Sequence, residues 1–348
     1  MIHPPRPVSS PFVQPTALDF PAIYDMIEKI QAYTGVRHMG ILVIGAAFMD
    51  IKGFPLDNYL PNGRNVGRIE YIHGGVARNV VEDIANVELR PTYMGIVDDT
   101  PMGAAVVGKL RDHKVNCDYV LTLPDGMGTW LAVFDNNGDV AGSISKRPNM
   151  LPLVGLMEEK GDEIFAACDA VVLEVDLDKA IVKKVITLAK RHGKKLFALV
   201  SNMSIAVERR DFLQSFDCFI CNQQEAGLFF IDDYTGMNRE QMRDILAKKV
   251  AVARIPAMVV TMGGEGAVYA SLSGESGVCP AKNVQVKDTT GAGDAFCAGV
   301  SIGLTYGKTL AEAIEIGSSL AASVISSSEN VCPRFRPEEF GLPAAHMD

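Results

Sequence analysis

The sequence predicts an α/β fold: a mostly parallel sheet with helices on both faces, joined by a small β-sheet lid. Two observations carry this. From residue 40 onward, short β-rich apolar runs alternate with stretches whose apolar residues recur at helical spacing, the pattern of strands covered on both faces by crossover helices. Residues 51–72 and 118–147 break that alternation, as strands inserted between the βα units without a helix to cover them would.

Taken in order, residues 1–38 read as an N-terminal extension. A Pro-rich start leads into residues 20–33, where Ile23, Met26, Ile27 and Ile30 recur at helical spacing. The domain proper spans 39–340. Strands are expected at 41–45, 92–96, 170–173, 196–200, 218–221 and 258–261. Helices are expected at 76–87, 102–113, 178–191, 240–253, 292–304 and 309–327. Within the second interruption, Thr129-Trp-Leu-Ala-Val-Phe, the turn Asp135-Asn-Asn-Gly and residues 139–145 read as a hairpin. Uncovered strands of this kind suit a lid over the ends of the main strands.

The 348 residues, 48% hydrophobic and 22% charged, suffice for a large core without disulfides or structural metals. A net charge of -9 without clustered Lys and Arg argues against a nucleic-acid partner. No run is long and apolar enough to span a bilayer, so no membrane role is expected. The seven Cys include one close pair, Cys218 and Cys221, inside an apolar run with no His cluster beside it. They read as buried thiols of a reducing compartment, which makes the cytoplasm the expected location.

Chemistry concentrates in Asp288-Thr-Thr-Gly-Ala-Gly-Asp-Ala-Phe, which runs into a small-residue helix. A glycine-rich turn entering a helix offers unpaired N–H groups and the positive end of the helix dipole, a seat for phosphate. Gly291, Ala292 and Gly293 would form that seat. Asp294 would repel the anion as a ligand, yet it is well placed to take a proton from a hydroxyl attacking it. The alternative is a left-handed glycine turn whose Asp294 merely complements the dipole. Gly103-Ala-Ala-Val-Val-Gly-Lys-Leu110 nearly spells a P-loop, but Leu110 stands where a Mg²⁺-binding Ser or Thr is required. Thr100 and Pro101 instead read as N-cap and first helical residue, with Met102, Val106 and Leu110 buried and Lys109 on the surface.

The string from Asp288 through Ser301 resembles, position by position, the second signature of the PfkB carbohydrate kinase family. Other landmarks follow in order over residues 41–335. Gly45-Ala-Ala-Phe-Met-Asp50 resembles the family's first strand and acceptor-binding aspartate, and Gly74-Gly75 with Asn79 its substrate loop. Asn222-Gln-Gln-Glu225 resembles the Asn-x-x-Glu motif, and Thr261-Met-Gly-Gly-Glu-Gly266 the nucleotide-side turn. Val81, Glu88 and Ser201-Asn202 depart from the usual pattern.

The resemblance implies a ribokinase-like fold and ATP-dependent transfer to a hydroxyl, with Asp294 as base and the Gly291, Ala292 and Gly293 amides on the phosphate. It implies that Asp50, Gly74, Gly75 and Asn79 grip the acceptor, and that Asn222, Thr261, Gly263 and Gly266 lie on the ATP side. Glu225 would hold Mg²⁺ through water. Asp288 and Thr290 match positions that hold a monovalent cation such as K⁺ in some relatives, with turn capping as the alternative. A homodimer through the lid is a further implication. Gly74-Gly-Val-Ala-Arg-Asn79 is most similar to the pseudouridine kinase branch, so the expected acceptor is the pseudouridine 5′-hydroxyl, with Met49, Trp130, Phe134 or Met150 against the base. Ribose or another sugar is the second expectation. A sugar phosphate, for which Lys52, Arg64, Arg78 and Arg147 are the available cations, is the third. A silent nucleoside-binding sensor is the rival from a different class.

Overall fold

The computed structural model describes residues 40–342, so the expected extension over residues 1–38 lies outside the described residues. The strands are β1 (Ile41–Ile44), β2 (Phe48–Pro55), β3 (Gly67–Gly74), β4 (Thr92–Val97), β5 (Asn116–Thr122), β6 (Gly128–Phe134) and β7 (Val140–Lys146), then β8 (Ala170–Glu174), β9 (Lys195–Leu199), β10 (Cys218–Asn222), β11 (Ala257–Thr261), β12 (Ala267–Ser271) and β13 (Ser276–Cys279). The helices are α1 (Val76–Asn86), α2 (Pro101–Asp112), α3 (Pro152–Ala167), α4 (Lys179–Arg191), α5 (Met203–Ala206), α6 (Arg210–Leu213), α7 (Gln223–Phe230), α8 (Arg239–Ala253), α9 (Ala292–Thr305) and α10 (Leu310–Ile325).

Nine strands form one sheet in the order β13-β12-β11-β10-β9-β8-β1-β4-β5. From β11 to β5 the neighbours are parallel, and β12 and β13 close the far edge antiparallel. Every residue of β1, β4 and β8 is buried. This is why these strands read as continuous apolar runs, since helices cover both faces. Residues of α3, α4 and α8 fill the core on one face, and residues of α1, α9 and α10 the core on the other. All seven Cys are buried and none is in a disulfide. Among the described residues no helix is long and apolar enough to cross a membrane.

A second sheet, in the order β3-β2-β6-β7, forms the lid. The hairpin expected at 129–145 is the antiparallel pair β6 and β7. Residues 118–122, expected in the lid, belong instead to β5 at the edge of the main sheet. Val115, Cys117 and Tyr119 alternate inward there, so pairing with β4 buries apolar surface that a lid strand would leave wet.

Helix α3 and the hairpin β12 to β13 were not expected. In α3 the buried positions Leu153, Met157, Gly161, Ile164 and Phe165 do follow helical spacing, but two glycines and the charged run 158–163 blur the stripe. Helix α2 starts as its sequence indicates, with Thr100 accepting Gly103 N–H at 3.4 Å and Pro101 at the first helical position. Two of its expectations fail. Met102 is exposed, and Lys109 is not a bystander but pairs with the buried Glu82 at 2.9 Å.

The packing of α9 on α10 fixes where the glycine-rich turn points. A Cβ on Gly299 would lie 2.6 Å from Gly317 Cα, so only glycine lets the two backbones approach this closely. Helix α10 begins with Thr309 and Glu312 capping each other reciprocally.

Candidate active site

The parallel strands β1, β8, β9, β10 and β11 point their carboxyl ends to one side, where open α/β sheets place their ligand crevice. Residues 45–50, 174–176, 201, 222–225 and 261–266 follow those ends directly. The lid joins from β2. Phe48, Asp50 and Lys52 share one face of that strand by its period of two, and in register they pair with Gly128, Trp130 and Ala132 of β6.

Asp294 lies in the first turn of α9, after Gly291, which adopts φ 82° as the N-cap. That left-handed backbone demands glycine, and a Cβ there would overlap the Asn330 carbonyl oxygen. Asn79 Nδ2 donates to Asp294 Oδ2 at 2.6 Å. Burial pushes the Asp294 carboxyl up to about 7; Asn79 and the Arg78 charge oppose that rise, while Asp50 and Glu225 reinforce it. A carboxyl so poised can accept a proton near neutral pH. Of the three amides expected to receive an anion, that of Ala292 donates to Thr289 O at 3.2 Å, so those of Gly291 and Gly293 are the ones available.

The acceptor loop is built for close approach. Gly75 has φ 97°, and a Cβ on Gly74 would lie 2.5 Å from Asp50 Oδ2, so the missing side chain seats the Asp50 carboxyl. Burial raises the Asp50 carboxyl, with Lys52 and Arg78 pulling the other way. Arg78, 1% exposed, donates to Gly74 O at 3.4 Å, to His73 O, and to Glu82 Oε2 at 2.5 Å. Burial alone would raise Glu82, but Arg78 and Lys109 together bring it below its ordinary range. Arg78 therefore pins the loop from beneath and is not spare for a substrate phosphate. Asn330 completes the support: its Nδ2 donates to His73 O at 2.9 Å and to Asn79 Oδ1 at 3.4 Å. Its segment is tied down by Cys332 N–H, which donates to the buried Asp83 Oδ1 at 2.6 Å.

A carboxylate cluster sits at the ends of β8 and β9. Glu174 Oε2 accepts Ala46 N–H at 2.8 Å, and Glu174 Oε1 and Asp176 Oδ2 each lie 2.8 Å from the Ser201 hydroxyl. One hydroxyl proton cannot serve both oxygens, which fits a Glu174 carboxyl raised to about 7 by burial and then by Asp176. Arg147, entering from the lid, donates to Asp176 Oδ2 at 2.6 Å. Ser201, one of the residues that depart from the family pattern, thus holds both carboxylates. Val81 is an ordinary core residue, while Glu88 takes the left-handed backbone, φ 57°, that a glycine would adopt freely.

On the other side, Asn222 and Glu225 cap α7 reciprocally: Glu225 Oε2 accepts Asn222 N–H and Asn222 Oδ1 accepts Glu225 N–H, both at 2.8 Å. Glu225 is raised by burial, and Asp176 adds to the rise. Glu225 Oε1 stays outside the cap, a carboxylate oxygen of the hard kind that Mg²⁺ takes. Thr261 pairs in register with Asn222, and Gly263 and Gly266 have φ 54° and 100° in the turn that follows. Asp288 Oδ1 accepts Thr290 N–H at 2.8 Å, the turn-capping arrangement, and this bond holds the Asp288 carboxyl below its usual range. Among the described residues no three His, Cys, Asp or Glu side chains gather into a metal-holding group.

The structure thus brings Asp50, Gly74, Gly75, Asn79, Gly291, Gly293 and Asp294 around one space. Met49 is core, whereas Trp130 is beside Asp50 on the lid face. Sequence reasoning passed over Asn330, Glu174 and Asp176. The pair Glu174 and Asp176, two carboxylates closing a buried strand, was a readable signal for the last two; nothing local marks Asn330.

Residues 39–332 match the model of the pfkB family carbohydrate kinases. The chain is 35% identical over 292 residues to a guanosine-inosine kinase of Exiguobacterium acetylicum, covering 83% of this chain and 95% of that one. It is 22% identical over 290 residues to a pseudouridine kinase of Escherichia coli, covering 82% and 90%. Among solved structures it superposes on Arabidopsis thaliana ribokinase complexed with ribose and ATP, with a TM-score of 0.76 at 19% identity over 87% of this chain and 98% of that one. The chain belongs to the pfkB family of carbohydrate kinases, with its ribokinase-like α/β fold, and is a phosphotransferase that uses a sugar or nucleoside hydroxyl as acceptor.

Proposed function

We propose that the protein transfers the γ-phosphoryl group of ATP to the 5′-hydroxyl of a nucleoside, with Asp294 as the general base. The observation that carries this is the Asn79 to Asp294 bond of 2.6 Å at the N-terminus of α9, with the carboxyl held at about 7. The hydroxyl, gripped by Asp50 and Asn79, gives its proton to Asp294 as its oxygen attacks phosphorus. The Gly291 and Gly293 N–H groups and the α9 dipole stabilise the charge that develops on the transferred group. Asn222, Thr261, Gly263 and Gly266 border the nucleotide. Glu225 would hold Mg²⁺ through water, and the ion, when bound, would neutralise charge on the phosphates.

The similarity to a guanosine-inosine kinase favours a purine nucleoside over pseudouridine and ribose. A sensor that only binds would gain nothing from a carboxyl poised near neutrality, which disfavours that reading. The lid's outer face supports the expected homodimer: Ile69, Tyr71, Leu131, Val133 and Ile144 share that face by register and are exposed.

The test is ADP release with MgATP against guanosine, inosine, adenosine, pseudouridine, uridine and ribose, with Asp294→Asn alongside. Turnover of a nucleoside, lost in the variant, is the expected result. Preferential turnover of ribose would overturn the nucleoside assignment. Undiminished turnover by the variant would overturn the role of Asp294.

A further inference from the structure

We propose that Arg147, held by Asp176 at the base of the lid, reads the O6 and N7 edge of a 6-oxopurine and so selects guanosine and inosine as acceptors. This rests on the nucleoside-kinase reading above and assigns the base-recognition residue within it.

A cavity of about 240 Å³ opens between the lid base and the main sheet, with Phe48, Pro148, Met150, Leu177 and Ile205 as its apolar wall. Its polar lining is Arg147, Glu174, Asp176 and Asp178. An apolar slot with a few fixed polar groups suits a flat heteroaromatic ring. The slot adjoins the acceptor loop, because Ala46 lines it and the Ala46 carbonyl oxygen would lie 2.6 Å from a Cβ on Gly75. Phe48 in the slot and Asp50 in the acceptor site lie on one face of β2, two residues or about 7 Å apart, a gap that a ribose ring bridges.

The lid register places Arg147 on that same face. Trp130 pairs with Asp50 on one side and Ser145 on the other, and Thr129 pairs with Lys146. Arg147 is the first residue after β7, next to that last pair, and it lines the slot together with Phe48. Phe48 and Arg147 thus face the slot together, and Asp50, Trp130 and Ser145 form the neighbouring row. A base attached to a ribose held at Asp50 reaches the slot that Arg147 lines, with the Phe48 ring on its apolar wall.

The guanidinium is prepared for this task. One Nη2 N–H goes to Asp176 Oδ2, and Asp176, 4% exposed, is itself fixed by the Ser201 hydroxyl and by Ser201 N–H at 3.0 Å. Arg147 keeps its remaining donors and is 36% exposed toward the cavity it lines. Guanine and hypoxanthine present two adjacent acceptors, O6 and N7, that match an arginine fork. Adenine replaces O6 with a donor amine, and a pyrimidine has no N7. A substrate phosphate is a poorer occupant, because Glu174 and Asp176 line the same cavity and offset the single cation.

The probe pair is guanosine and 7-deazaguanosine, which lacks only the N7 acceptor, with adenosine as a third ligand. Trp130 is the single tryptophan of the chain, so quenching of its fluorescence measures binding independently of transfer. ATP-dependent phosphorylation of the same ligands is followed in parallel. The wild type is expected to bind guanosine more tightly than 7-deazaguanosine and adenosine by roughly 5- to 150-fold, the discrimination of one good bidentate pair. Arg147→Lys keeps the ion pair with Asp176 but not the fork, and Arg147→Met removes both. Each is expected to bind guanosine and 7-deazaguanosine alike. A guanosine preference that Arg147→Lys retains in full overturns the assignment while leaving the kinase reading intact. An Arg147-dependent preference in binding without any phosphate transfer upholds the assignment and overturns the kinase reading. No binding of any nucleoside overturns both.

Discussion

Replacing Asn79 by Ala removes the amide that donates to Asp294 Oδ2 at 2.6 Å. Burial is the main reason the Asp294 carboxyl stands at about 7, and Asn79 is the first group holding it down. A hydrogen bond to a charged group contributes about 1.5–3 kcal/mol, and about 1.4 kcal/mol corresponds to one pKa unit. Losing the bond should therefore move the carboxyl upward by about one to two units. The base works only when deprotonated, so kcat/KM rises with pH through its pKa. In the wild type that rise should centre near 7, and in Asn79→Ala near 8 to 9. At neutral pH the competent fraction would fall from about one half to between about 1 and 10%, so kcat/KM drops roughly 5- to 50-fold from this cause alone. The assay is kcat/KM for the acceptor at saturating MgATP, followed from about pH 5.5 to 9.5 for both proteins. A uniformly lower profile with its midpoint unmoved, or moved to lower pH, would refute the electrostatic role given to Asn79.

Three further outcomes follow from named residues. Glu174 has its folded carboxyl raised from 4.5 to about 7, so its contribution is full below 4.5 and is lost as pH rises through 7. Tm should therefore fall from about pH 4.5 to 7 in the wild type and fall much less in Glu174→Gln; parallel pH profiles would contradict the assignment. Glu88 is exposed with φ 57°, so Glu88→Gly should relieve about 1–2 kcal/mol of backbone strain against about 0.5–1 kcal/mol of added chain entropy. A higher urea midpoint is the expected result, and a lower one would show that Glu88 makes a stabilising contact. Ile144 is 71% exposed on the lid's outer face, so Ile144→Lys should shift a dimer toward monomer in light scattering. A dimer that persists unchanged would place the interface elsewhere.

The central sheet is legible because its strands are buried on both faces and therefore print as short apolar runs, as in β1, β8 and β10. Edges and covers carry weaker marks. The outward residues of β5 are polar, so it reads like a lid strand, and β12 and β13, Ala-Val-Tyr-Ala-Ser and Ser-Gly-Val-Cys, carry small residues in place of a β-branched run. The site divides in the same way. Asp294, the glycines before it, and the Gly74, Gly75 and Asn79 loop are contiguous strings whose chemistry follows from residue type and spacing. Partners that meet across the chain leave no such string. Asn330 reaches Asn79 from 251 positions away, and Arg147 meets Asp176 only because the lid returns to the sheet there. Arg78 and Lys109 look like surface cations in one dimension, yet both serve the buried Glu82.

Asp294→Asn isolates the acceptor's proton transfer, because the amide keeps the shape of the side chain and loses only the basic oxygen. The measurement is kcat for guanosine phosphorylation at saturating MgATP, with guanosine affinity read from Trp130 quenching in the same samples. A positioned general base contributes roughly 10²- to 10⁴-fold. A loss of kcat of that order, with guanosine affinity little changed, is expected. A variant that binds guanosine and phosphorylates it at the wild-type rate would show that Asp294 is not the base.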